Sequence, residues 1–295
     1  MLEAPAYLDH AEHFIQAGPH RTRYIEAGDV GRPTVLLVHD GTYGTDSELC
    51  WSAVIAGLAT DHHVLAPELL GWGATDKILD FCHSRYENQI KHLAAFCRAL
   101  AVTEAHFVGT SFGGSVVIRA ASEGARCELP MISTVSLSGT GGPFRRREAV
   151  LALGDYIPSL EGAEAISRLI MEPGQPTAAH IHRRYDVSLT HGHWEFLTAQ
   201  QLRSPSKTVR RPPSPDVVES PRFPATFSRA RMPVLLVEGV HDPINERGWG
   251  GQLASLNPYA EVLELDSGHS PNLDRPDEVV SAVKAFIGKV GSIHA

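Results

Sequence analysis

Three side chains far apart in the chain, Ser111, Asp242 and His269, are of the types that together make an alcohol reactive. A serine hydroxyl alone is a poor nucleophile. A histidine that takes its proton, oriented by a carboxylate, converts it into a useful one. Ser111 sits in "HFVGTSFGGSVVIRAA", where an apolar strand-like run passes into an apolar helical run through Gly109, Gly113 and Gly114. The stretch Gly109-Thr110-Ser111-Phe112-Gly113 fits G-x-S-x-G, and its glycines suit a strained turn where side chains would strike the crossing backbone. The following helix aims its first amides at the serine, where they favour developing negative charge. Asp242 follows the run "PVLLVEG" and His269 follows "EVLELDSG", so each stands just past a strand end, in the order Ser, Asp, His. The preceding strand, "VSLSGTGG", ends without an acid, which favours Asp242.

An oxyanion formed by such an attack needs two preorganised N–H donors. The amide of Phe112, next to the nucleophile, is one. The second is expected from "VHDGTYG": Gly41, two residues past His39, with Thr42 as the alternative. His39 is read as a brace for that loop rather than as a base.

Bringing these residues to one rim requires a sheet whose strands run alike. "HFIQAG" and "TRYIEAG" read as an opening hairpin, and "PTVLLVHDG" as a strand buried on both faces, because its apolar residues are continuous. Helical patterns alternate with further strands at "HHVLAPELLGWG", "EAHFVGTSFGG", "STVSLSGTGG", "MPVLLVEGVHD" and "AEVLELDSGH". The helix after Ser111 is placed from about Ser115. The alternation predicts an α/β fold, a mostly parallel, doubly wound sheet with helices on both faces. From residue 143 to 228 the rhythm becomes helical and then proline-rich, which predicts a helical cap inserted into a core made of residues 1–142 and 229–295.

The net charge of −8 excludes broad nucleic-acid affinity, which needs a basic face. No stretch has the length to cross a bilayer, and the acidic start "MLEAPAYLDHAEHF" is not a signal peptide. Cys50, Cys82, Cys97 and Cys127 show no CxxC pairing, so reduced thiols and a cytoplasmic location are expected. The pairs His180/His182 and His191/His193 lack a metal-site framework, and no metal is expected. The expected partner is a small molecule; homo-oligomerisation stays open.

Through "VHDG", "APELLGWGATDK", "GTSFGG", "EGVHDPI" and "GHSPNLDRPDEV" the chain resembles the α/β-hydrolase superfamily over nearly its whole length, with Glu68 where an Asp is common. The resemblance implies a Ser-Asp-His hydrolase that uses no metal or organic cofactor. "AAHIHRRYDVSLTHGHWEFLTA" resembles the cap of the meta-cleavage-product hydrolases, which cut a carbon–carbon bond in dienoate acids. That match implies that Arg184 binds a substrate carboxylate through its fork of donors. Thr42 and Trp194 are further candidates for substrate contact, and Phe144, Tyr156 and Phe196 are expected to pack cap against core. Three positions depart from that family: Thr110 replaces Asn before the nucleophile, Ser270 replaces Trp after the histidine, and Asp40 interrupts the oxyanion loop. Asp40 is expected to point away or to bond to amides of its own turn. An ester, a lactone or a vinylogous diketone therefore all remain as substrates. The rival readings are a small-molecule receptor, or a lyase, cyclase or oxygenase in which His269 is the base.

Overall fold

Eight strands form one sheet, and its two faces explain why the apolar runs are continuous. The computed structural model describes residues 13–80, 82–124, 128–200 and 222–294. The strands are β1 (His13–Ala17), β2 (His20–Ala27), β3 (Thr34–Val38), β4 (His63–Pro67), β5 (Ala105–Thr110), β6 (Met131–Leu137), β7 (Val234–Gly239) and β8 (Ala260–Leu265). Their order is β1-β2-β4-β3-β5-β6-β7-β8. The opening hairpin pairs antiparallel and joins β4 antiparallel, while β4, β3, β5, β6, β7 and β8 are mutually parallel.

The helices are α1 (Ser47–Leu58), α2 (Arg85–Ala99), α3 (Phe112–Glu123), α4 (Arg147–Gly154), α5 (Leu160–Ile170), α6 (Ala178–Ser188), α7 (His193–Ala199), α8 (Trp249–Ala254), α9 (Pro271–Asp274) and α10 (Pro276–His294). Along β3, Leu36 and Val38 join one apolar cluster with Phe96 of α2 and Val116 of α3. Val35 and Leu37 join another with Trp51 and Ile55 of α1 and Val283 of α10. Successive residues of β3 thus enter opposite cores, which accounts for its continuous apolar run. Each such side chain contributes about 1.5–3 kcal/mol by leaving water.

Helices α4 to α7 lie in sequence between β6 and β7. They are docked on the loop after β3. Arg183 pairs with Asp46 at 2.6 Å and Glu48 at 2.9 Å, and the Gly44 amide donates to Nε2 of His193 at 3.0 Å. Tyr156 stacks on Tyr43 with ring centroids 4.6 Å apart. Most of the proline-rich return, the first twelve residues and Cys127 lie outside the described residues. No described helix is long and apolar enough to cross a membrane.

Candidate active site

The glycines around Ser111 answer to clearance. Ser111 has φ 51° and ψ −111°, a left-handed backbone that turns the chain from β5 into α3 within one residue. A Cβ on Gly113 would lie 2.2 Å from the Val38 carbonyl oxygen, and one on Gly109 would lie 2.5 Å from the Gly113 backbone. The turn is locked by neighbouring elements: the Ser111 amide donates to Leu137 O of β6 at 2.7 Å. Its carbonyl accepts from the Ser115 amide at 2.9 Å, so α3 starts at Phe112, three residues earlier than the sequence implied. The strain keeps the hydroxyl off the helix axis, at the carboxyl edge of the sheet.

There the three separated residues meet. Ser111 Oγ lies 2.8 Å from Nε2 of His269, and Nδ1 of His269 lies 2.8 Å from Oδ2 of Asp242. Asp242 and His269 are buried. Asp242 Oδ1 accepts from the amides of Ile244 (2.7 Å) and Asn245 (3.1 Å), and Oδ2 accepts from Asn245 Nδ2 at 2.8 Å. Burial works to raise this carboxyl's pKa, but the His269 interaction and those donors outweigh it and hold it below the ordinary aspartate value. With a carboxylate on its Nδ1 side, His269 presents Nε2 as acceptor to the Ser111 hydroxyl. Thr110, in place of the family's Asn, donates to Asn272 Oδ1 at 3.0 Å, while Asn272 Nδ2 donates to the Cys50 carbonyl at 2.8 Å. The segments carrying Ser111 and His269 are thereby tied to α1.

Gly41 and Phe112 come together: a Cβ on Gly41 would stand 2.8 Å from Cβ of Phe112. The Thr42 amide is already committed to Asp40 Oδ1 at 2.8 Å, which favours Gly41 as the second donor. His39 braces the loop as expected, with Nδ1–H donating to Asp40 O at 2.5 Å and Nε2 accepting from the Leu69 amide at 2.9 Å.

Asp40 bonds within its own turn. Oδ1 accepts from the Thr42 hydroxyl at 2.5 Å and Oδ2 from Thr45 Oγ1 at 3.1 Å. Arg184 stands behind this turn rather than in the cavity. Its Nη1 donates to Thr42 Oγ1 and to Tyr43 O, both at 2.8 Å, and the side chain is fully buried. Burial pushes the Asp40 carboxyl up, yet Arg184 and the Thr42 donors hold it below its usual range. Through Nη1 the guanidinium contacts protein oxygens behind Thr42, while its buried Nε and Nη2 have no protein partner. Trp194 is exposed and is not part of the cavity wall, and its indole N–H reaches Tyr156 O at 3.4 Å.

The cavity over Ser111 has a volume of about 820 Å³, and its wall includes Gly41, Thr42, Trp72, Phe112 and Phe196. Thr42 lines it, and Phe196 does more than pack helix on core. Arg85, Tyr86 and Arg145 also line it, and sequence reasoning missed all three. For Arg145 the signal was the basic run "PFRRREAV", read as the start of a helical pattern. Residue 145 is instead extended, bridged antiparallel to Asn245 of the Asp242 loop.

Residues 35–282 match the alpha/beta hydrolase family. The 2-hydroxy-6-oxo-6-(2'-aminophenyl)hexa-2,4-dienoic acid hydrolase of Metapseudomonas resinovorans is 39% identical over 290 residues, covering 96% of this chain and 93% of that protein. Among solved structures, the 2-hydroxy-6-oxo-6-phenylhexa-2,4-dienoate hydrolase of Rhodococcus superposes with a TM-score of 0.79 at 20% identity, over 95% of this chain and 99% of that one. A serine hydrolase involved in carbazole degradation gives 0.76 at 22%, over 95% and 99%. With the family matched across most of its length and a relative this similar from end to end, the chain belongs to the alpha/beta hydrolase family and is a hydrolase.

Proposed function

We propose that the protein hydrolyses the carbon–carbon bond of a 2-hydroxy-6-oxo-hexa-2,4-dienoate carrying an aryl group, using Ser111, His269 and Asp242. The observation that carries the chemistry is the unbroken pair of 2.8 Å contacts from Ser111 through His269 to Asp242. The full-length relative supports the substrate class. His269 takes the Ser111 proton as Oγ adds to the 6-oxo carbon. The Phe112 and Gly41 amides hold the oxyanion. The dienoate, ketonised beforehand, leaves as a carbanion stabilised by its own carbonyl and takes a proton from His269. Water, deprotonated by the same ring, then releases the aryl acid from Ser111. Within the insertion, α4 to α7 act as a cap over the cavity, with Phe196 and Leu197 of α7 supplying part of its apolar wall.

An aryl ester would follow the same steps with an alkoxide leaving, so specificity is the point to test. Loss of the dienoate chromophore should proceed with a higher kcat/KM than p-nitrophenyl acetate hydrolysis, and both should vanish in Ser111→Ala. Turnover of the ester alone would overturn the carbon–carbon assignment. Turnover of neither would favour a receptor.

A further inference from the structure

Cationic groups stand by the cavity over Ser111 in two separate places. Thr42 marks one: Arg184, behind it, donates to the Thr42 hydroxyl through Nη1 and keeps Nε and Nη2 unpartnered. Arg85 and Arg145, on either side of Tyr86 in the same wall, mark the other. A row of rings joins the two. The Trp72 indole N–H donates to Thr42 O at 3.2 Å, Trp72 stacks on Phe112 with centroids 5.8 Å apart, and Phe112 lies 5.4 Å from Tyr86. Phe112, whose amide faces the oxyanion, therefore stands within the row.

The second place lacks a protein anion. Neither Arg85 nor Arg145 forms a salt bridge with a described carboxylate. Arg145 spends one donor on the Ser115 hydroxyl at a long 3.4 Å, and its buried Nε has no partner. Asp242 acts on Arg145 from beyond hydrogen-bond reach, its own oxygens being taken by His269, Asn245 and two amides. Asp80 and Asp155 also line the cavity and bridge to neither arginine, Asp80 being held by His83 at 2.6 Å. The Arg85 guanidinium carbon lies 4.9 Å from the Phe112 ring centroid, and that of Arg119 lies 4.1 Å from Tyr86. The positive field is legible in Tyr86 itself: burial would raise its phenol, yet Arg85, Arg145 and Arg119 hold it below the ordinary value.

We infer that Arg85 and Arg145 hold a second acidic group, carried on the aryl ring, so that the protein's substrate is a carboxyaryl dienoate. This group is additional to the dienoate carboxylate, which is left to the Arg184 end of the cavity. A guanidinium only donates, so a ring carboxylate takes paired hydrogen bonds while the ring lies along Phe112 and Tyr86. An amino-substituted ring would bring donors to donors. The inference rests on the proposed reaction for the identity of the substrate. There, water's hydroxyl stays with the 6-oxo carbon and its hydrogen passes to the dienoate fragment, so the aryl product is a benzenedicarboxylic acid.

Arylboronic acids test the subsite without dienoate turnover, by calorimetric titration into the full-length protein. Ser111 Oγ bonds to boron as its proton passes to His269, nothing leaves, and the tetrahedral boronate fixes the ring where the aryl group would lie. At least one of ortho-, meta- and para-carboxyphenylboronic acid should bind about tenfold or more tightly than phenylboronic acid, as one charge-assisted contact provides. Arg145→Met and Arg85→Met should each abolish that gain, Arg145→Lys should keep part of it, and phenylboronic acid should bind all forms alike. Aminophenylboronic acids should show no gain, and Arg183→Met, which alters a cation outside the cavity, should behave like the wild type. Arg85 is exposed at the start of α2, so Arg85→Met decides the matter even if the Arg145 variants fail to fold. No gain for any isomer, or a gain undiminished in Arg85→Met, overturns the subsite. An arginine-dependent gain in a protein that cleaves no dienoate overturns the proposed reaction and leaves the subsite standing, and no boronate binding at all overturns both.

Discussion

Replacing Arg184 by Met separates a positioning role from substrate contact more sharply than any other change. In the structure Arg184 reaches Asp40 through the Thr42 hydroxyl, not directly. Removing one partner of a direct buried ion pair costs about 3–5 kcal/mol, and the interposed hydroxyl puts this case at or below the lower end, about 3 kcal/mol. The two unpartnered donors, Nε and Nη2, disappear with the side chain and return about 1 kcal/mol. A net destabilisation of about 2 kcal/mol is expected, read from urea unfolding midpoints at constant m-value. The effect carries a pH signature. In the wild type the Asp40 carboxyl is held low, so its contribution is present above the ordinary aspartate pKa and lost as pH falls through the depressed value. Without Arg184 the depression shrinks, because burial then opposes only the Thr42 donors and His39, and the pH-dependent contribution shrinks with it. The stability gap between the two proteins should therefore be widest near neutrality and close as pH falls below about 4. A variant of wild-type stability whose KM rises only for acidic substrates would refute this reasoning and return Arg184 to the substrate.

Three further outcomes are expected. Asp242→Asn would face Nδ1 of His269 with an amide and favour the wrong tautomer, so kcat should fall about 10⁴-fold with little change in melting temperature. Gly41→Ala would set a methyl 2.8 Å from Cβ of Phe112 and spread the two oxyanion donors, which should lower kcat by about 10²–10³-fold while KM moves little. Asn272→Ala would strip partners from the Thr110 hydroxyl and the Cys50 carbonyl, lowering unfolding free energy by about 2 kcal/mol in urea titration.

The sheet and the meeting of Ser111, Asp242 and His269 were legible because Ser111 and Asp242 follow strands buried along their length, while His269 follows the half-exposed edge strand β8, marked by its place in the strand rhythm. Arg184 was legible by type and not by direction. Adjacent helical residues point about 100° apart, and here Arg183 takes Asp46 and Glu48 while Arg184 turns to Thr42. Nothing local in "HRRY" distinguishes the two. Arg145 was hidden for another reason: its conformation comes from an antiparallel bridge to Asn245, a contact across a hundred residues that a helical reading of "PFRRREAV" cannot contain. The start of α3 was misplaced because Gly113 and Gly114 carry low helix propensity, yet clearance from β3 and β6 demands glycine there inside a helix.

Asp40 poses the sharpest conflict in the site, since a carboxylate beside an oxyanion hole should oppose the charge that forms there. Its surroundings remove the conflict by using its lone pairs. Oδ1 serves the Thr42 amide and hydroxyl, Oδ2 serves Thr45, and the Thr42 hydroxyl in turn accepts from Arg184. The negative charge is thus directed away from Ser111 and balanced from behind. The same bonds take the Thr42 amide out of contention and leave that of Gly41 for the oxyanion. Asp40 and Arg184 consequently behave as one unit that shapes the loop.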